Sequence, residues 1–234
     1  MTRIASTARH LALPIALSAL CSGGASAAEV TGSSALTSDY VWRGTSQSNE
    51  DPAVQAGLKV DGTHGVYAQA WGSSVEFAPQ TRASTEIDLT AGWSGALNAD
   101  ATLDLSVTRY LYPSAAADLD WTEVSATLIW REHYWVQIAH ANDALASGAT
   151  GTYAQIGARV PLNERIRLEG AAGHYWLART SGYADYTHLQ LGAVWAVAAP
   201  FELRLTLHDT DAAAERDFGT WAGTRVEAAV QATF

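Results

Sequence analysis

From Val30 onward the chain alternates apolar and polar residues with period two, the signature of β-strands whose two faces meet different surroundings. In 201–208, Phe201, Leu203, Leu205 and Leu207 fall on one face, and Glu202, Arg204, Thr206 and His208 on the other. The stretches 85–93 and 97–108 alternate in the same way, and helical spacing fits none of these segments. Twelve such segments are read, at 33–44, 52–60, 64–73, 84–94, 97–110, 119–130, 132–140, 150–160, 164–176, 184–196, 201–209 and 222–234. The connections alternate too. Short turns such as Asp61-Gly62, Ser94-Gly95 and Arg131 take turns with longer polar stretches such as 45–51, 74–83, 111–118 and 210–221. This layout predicts an all-β fold: a transmembrane antiparallel up-and-down β-barrel of about 12 strands, with short periplasmic turns and longer extracellular loops. All the loops are modest in length, so a long inward-folded constriction loop of the large-porin kind is not expected.

The segment before the first strand reads as a secretory signal peptide covering 1–27. Arg3 and Arg9 supply its positive start, 11–20 (LALPIALSAL) its apolar core, and Ala25-Ser26-Ala27 an A-x-A cleavage site. No Pro/Gly-rich linker divides 28–234, which is read as one barrel domain. Two of the 14 basic residues, Arg3 and Arg9, leave with the leader, so 12 basic residues remain against 24 acidic ones and the balance moves from −10 to −12. That balance argues against a nucleic-acid partner, which requires a basic face. Cys21 is the only cysteine, so the mature chain has no disulfide and no thiolate metal site. No apolar run is long enough for a membrane-spanning helix. The mean hydropathy of −0.03 is what lipid-facing and water-facing residues in alternation average to.

Nine Trp and nine Tyr stand beside four Phe, a ratio that suits the two membrane–water interfaces, where amphipathic rings are favoured. One belt is expected at the short-turn end, from Trp93, Trp130, Tyr134, Trp195, Phe201 and Phe234. A second is expected at the long-loop end, from Tyr40, Trp42, Tyr112, Trp121, Trp176, Tyr183, Tyr186 and Trp221. The opposite strand face then lines the lumen. Its candidate pore-lining charges are Asp39, Arg43, Glu86, Asp88, Asp100, Asp104, Arg204 and Glu227, with Lys59, Glu123, Arg159, Arg165, Arg167, Glu169, Glu202 and Arg225 beside them. Acidic residues gather on the earlier strands and Arg on the later ones, so a transversely polarised lumen with a mild cation preference is expected; a structural salt-bridge network is the alternative. Asp39 and Arg43 share the inward face of the first strand in this reading. Gly44 then allows a tight turn, and Arg43 is in position to pair with Glu86 or Asp88.

Catalytic and metal chemistry finds little support. No G-x-S-x-G elbow and no outward His–Ser pair is present, so no enzyme activity is expected. His188 and His208 face inward on neighbouring strands with Asp185 and Asp209 near, a set that is read as polar filling rather than as a metal site. No cofactor and no metal are expected. Phe234 ends an alternating strand (Val226, Ala228, Val230, Ala232), a pattern similar to the signal read by the barrel assembly machinery.

The run Leu36-Thr37-Ser38-Asp39-Tyr40-Val41-Trp42-Arg43-Gly44-Thr45-Ser46-Gln47 resembles the opening T-S-D-Y-x-[FW]-R-G-x-S-Q of the TorF family of porins. Gly65-Val66-Tyr67, Trp71, Ser73, Val75 and Phe77 resemble that family's next segment, and Glu86-Ile87-Asp88 with Gly92 its E-x-D-x-x-x-G strand. The likeness covers 36–92 and implies an outer-membrane barrel with a channel role, without assigning a solute. The expected function is therefore a porin-like channel passing small hydrophilic solutes or ions by diffusion, with outer-membrane lipid and the assembly machinery as partners. The alternative is a closed-lumen barrel with a structural or interaction role, or, less readily, a lipid-modifying barrel enzyme.

Overall fold

A computed structural model describes residues 28–234; the expected leader, 1–27, lies outside the described residues. The elements are β1 (Glu29–Thr37), β2 (Val41–Trp42), β3 (Thr45–Ser46), β4 (Ala53–Asp61), β5 (Val66–Ser74), β6 (Thr85–Ala96) and β7 (Ala101–Leu111). There follow β8 (Trp121–Trp130), β9 (Tyr134–Ala141), β10 (Gly151–Pro161), β11 (Ile166–Leu177), β12 (Tyr186–Ala198), β13 (Phe201–Thr210), the helix α1 (Ala212–Phe218) and β14 (Arg225–Thr233). Twelve strands close into an antiparallel barrel in sequence order, all except β2 and β3, which form a separate two-stranded hairpin. The seam joins β1 to β14, with Ser33 opposite Thr233 and Leu36 opposite Val230. Beyond the last ladder pair, Gly32 and Phe234 exchange backbone N–H···O bonds of 2.7 and 2.9 Å. The Phe234 ring lies over Gly32, where a Cβ would collide with it.

Closure gives every strand two hydrogen-bonded neighbours, the condition for crossing hydrocarbon with β-structure. Alternation then sorts the side chains. Val54, Ile156 and Leu191 point outward with 65%, 62% and 61% of their surface exposed, while Lys59, Glu86, Glu123, Glu169 and Glu202 point inward and are buried. An apolar exterior around a polar interior inverts a soluble protein and matches a sheath of lipid.

Two expectations are corrected here. The first strand does not run over 33–44; it ends at Thr37, and 39–48 turns into the barrel. The loop after β1 is therefore an inward-folded element, which its modest length did not mark. The second aromatic belt is also largely internal: Tyr40, Trp121 and Tyr186 are buried, Trp42 and Tyr112 are half-buried against the interior cluster, and Tyr183 stacks on Phe218 at a centroid distance of 5.1 Å. Trp221 binds the inward loop through an Nε1–H bond of 2.8 Å to Asn49. Of that set Trp176 is exposed on the outer face. Parity explains the error: Trp121 shares its face with Glu123, and Tyr186 with His188, so both belong to the lumen side. The belt at the short-turn end stands, with Trp93, Trp130, Tyr134, Trp195, Phe201 and Phe234 all exposed.

Leu191 lies near mid-strand on the outer face, so Leu191→Arg should destabilise the barrel by about 2–4 kcal/mol. Urea titration in lipid vesicles followed by tryptophan fluorescence checks this, and a negligible loss would contradict the assignment of that face to lipid.

Candidate functional site

The inward segment is built from the residues that open the first loop. Thr37 Oγ1 sits 2.7 Å from the Asp39 carbonyl oxygen and 2.8 Å from Glu227 Oε1, bending the chain out of β1. The buried Asp39 carboxylate gathers the loop: Ser46 Oγ donates to it at 2.6 Å, Ser48 Oγ lies 3.1 Å from the same oxygen, and Arg225 of β14 approaches the other oxygen at 3.4 Å. β2 and β3 pair Val41 with Ser46 and Trp42 with Thr45, leaving Arg43-Gly44 as a two-residue turn. Both have positive φ, 48° and 83°, the requirement of a type I′ hairpin turn. Gly44 also needs its missing side chain, because a Cβ there would lie 2.6 Å from the Cβ of His188.

Arg43 is the unusual member, since a left-handed backbone disfavours a residue with a Cβ. Its surroundings hold it there. The guanidinium forms a two-pronged pair with Glu123 of β8, at 2.9 and 2.7 Å, with side-chain exposures of only 7% and 6%. It also lies 4.2 Å from the ring centre of Trp42, 3.8 Å from that of Tyr153 and 4.9 Å from that of Tyr175. Cation–π contact strengthens when water is excluded. At the hairpin's other edge Tyr40 packs on Trp71, 5.4 Å between centres, and its hydroxyl is 3.4 Å from Glu86. The hairpin thus touches opposite walls of the barrel.

Two apolar clusters flank it at the long-loop end. One contains Tyr110, Trp121, Tyr153, Tyr175 and Tyr186, with Trp42, Leu145 and Phe218 packed against them. The other joins Tyr40, Ala53, Val75 and Ala83 to Trp71 and Phe77. Beneath the hairpin lie two cavities, of about 250 and 330 Å³. Both are bordered by Val41 and Gln190, so they share part of their walls under β2.

The expected pore-lining residues separate accordingly. Asp39 and Arg43 belong to the hairpin rather than to a strand. Arg43 pairs with Glu123 in place of Glu86 or Asp88. Those two carboxylates occupy the inner face of β6, and among the described residues neither has a basic partner within 4.0 Å. Asp104 accepts from Tyr67 Oη at 3.0 Å. Arg204 binds Glu169 at 2.6 Å, and Arg167 bridges Glu169 and Glu202 at 2.8 and 2.7 Å, a wall network on β11 and β13. Glu227 contacts His208 Nε2 at 2.9 Å. Asp100 is not in the lumen: it sits exposed in the β6–β7 turn, 3.2 Å from Arg131. Arg165 is likewise exposed in a turn. Phe234 lies outside, on the seam. His188 bonds Tyr153 Oη at 2.7 Å. Asp185 accepts instead from the Leu177 amide and Asp209 from Thr224, so these groups do not converge. Tyr153 and Tyr175, which face Arg43, are absent from the expected lumen residues, although strand parity marks both.

The closed twelve-stranded antiparallel barrel is a fold shared with solved outer-membrane porins and channels. The KdgM porin aligns with a TM-score of 0.55 at 6% identity, over 89% of this chain and 99% of that one. The NanC porin aligns at 0.56 and 10% identity, over 88% and 99%. An outer membrane channel from Pseudomonas putida F1 aligns at 0.52 and 15% identity, over 88% and 95%. At these identities the likeness is one of fold. No curated protein matches the chain. The chain belongs to the family described as "Bacterial protein of unknown function (Gcw_chp)", whose model matches residues 21–234.

Removing one partner of a buried ion pair costs about 3–5 kcal/mol. Glu123→Gln should therefore loosen the hairpin and expose the Arg43 peptide bond to trypsin, raising cleavage there by about a hundredfold or more. Continued protection of Arg43 would contradict the pairing.

Proposed function

We propose that this protein is an outer-membrane porin-like channel for passive diffusion of small hydrophilic solutes, gated by its own first extracellular loop. One observation carries the reading: a polar chamber inside a closed barrel lies beneath a hairpin that is anchored by side-chain contacts rather than built into the sheet. Such an element can leave its seat without breaking a barrel ladder. The resemblance of 36–92 to TorF-family porins agrees, and on this account the shared T-S-D-Y-x-W-R-G segment is the gate itself. The outward apolar face and the ring of Trp and Tyr at the short-turn end support a bacterial outer-membrane location, with lipid as the immediate partner. A KdgM structure is described as a complex with disordered oligogalacturonate; the solute of the present chain is argued separately below.

A second reading keeps the lumen shut permanently, with a structural or interaction role for the outer loops. The two apolar clusters that fill the long-loop end favour it. Planar-bilayer recording separates the readings. The unmodified protein should open rarely, and Arg43→Ala should raise the time-averaged conductance several-fold. Silence from both would sink the channel reading. In a salt gradient the Arg43→Ala channel should show a mild preference for cations, because Glu123, which borders the cavity, then lacks its basic partner; anion selectivity would contradict this.

A further inference from the structure

The chamber beneath the hairpin separates its polar groups into two kinds. Its charged groups already hold partners: Arg43 with Glu123, Arg204 with Glu169, His208 with Glu227 and Asp104 with the Tyr67 hydroxyl. Its amides do not. Gln55, Gln190 and Gln231 border one cavity, and Gln69 and Gln190 the other. Among the described residues none of these four side chains makes a hydrogen bond to the protein. Each offers a donor and an acceptor on one planar group. Gln190 borders both cavities, so a solute in either one meets it. Two aromatic side chains, Trp71 and Tyr67, stand on the same inward face of β5, one in each cavity, and offer flat apolar surfaces to a solute.

An anionic solute entering here would have to break existing ion pairs to find a counter-charge, whereas a neutral polyhydroxylated one would find open partners. Paired hydroxyls suit amides that donate and accept together, and the C–H faces of a sugar ring suit the aromatic surfaces. Each cavity is on the scale of a site for one small organic molecule. We infer that the chamber is a binding site for an uncharged sugar of about disaccharide size, with Gln190 as its central contact. This deepens the channel reading and rests on it for its physiological role, though the site itself exists whether or not the barrel conducts.

The test uses calorimetric titration of the full barrel in detergent micelles with maltose, and with maltobionate as its negatively charged counterpart. Saturable binding of maltose is expected, with weaker binding of maltobionate. Gln190→Leu should weaken maltose binding about tenfold, the usual effect of one lost hydrogen bond, and Gln69→Leu similarly. Leu191→Ala, on the lipid face, should leave it unchanged. The inference is overturned if maltobionate binds as tightly as maltose, if maltose shows no saturable binding, or if Gln190→Leu leaves its affinity intact in a barrel whose native circular dichroism is preserved. Binding in micelles needs no conduction. A barrel that binds maltose yet stays silent in bilayers refutes the channel reading alone, and one that conducts without binding refutes this inference alone.

Discussion

The Arg43–Glu123 pair is the contact on which the interior organisation depends. A guanidinium removed from water is tolerable only when a carboxylate and further favourable groups replace its hydration. Glu123 supplies two hydrogen bonds, and Trp42, Tyr153 and Tyr175 supply ring faces. Those four groups come from the hairpin, β8, β10 and β11, so satisfying one charge draws a loop and three strands to a common point. The left-handed backbone at Arg43 is stabilised by the same contacts. So is the close approach of Gly44 to His188 and Thr210.

Around this point the barrel obeys two solvents at once. Lipid outside demands closed ladders and apolar side chains, whereas the interior must satisfy charges without bulk water. The chain divides the interior along its axis. Toward the long-loop end aromatic and small apolar residues pack as in a soluble core. Toward the short-turn end amides, hydroxyls and paired charges leave space. The helix α1 completes the outer end, capped by Asp211, whose side chain accepts from the amides of Ala213 and Ala214; its buried Ala214 rests on the aromatic cluster.

Much of this was legible from alternation alone, because period two survives wherever a strand separates two solvents. The strands from Ala53 to Thr233 match the alternating segments to within a few residues. The inward charges Glu86, Asp88, Asp104, Arg204 and Glu227 follow from parity. The reading failed where the chain stops being a strand while still looking like one. Residues 38–44 continue an acceptable alternation, yet Asp39 finds Ser46 and Ser48 within its own loop, and those local bonds outweigh a longer β1. A pairing such as Arg43 with Glu123 spans 80 positions, and nothing local in the sequence marks it. The aromatics were misplaced for a different reason: Trp and Tyr suit a membrane interface and a buried cation equally well, and only their parity with Glu123 and His188 separates the two.

The central claim is that 39–48 lies within the lumen and shields the chamber from the outside. With Cys21 in the expected leader, a cysteine introduced at Val41 is the single thiol of the mature chain, and Val41 borders both cavities. Labelling of intact cells by a membrane-impermeant maleimide measures its exposure directly. The account predicts slow labelling of Val41→Cys from outside, and fast labelling once Arg43→Ala is added. Fast labelling of Val41→Cys with Arg43 in place would contradict it.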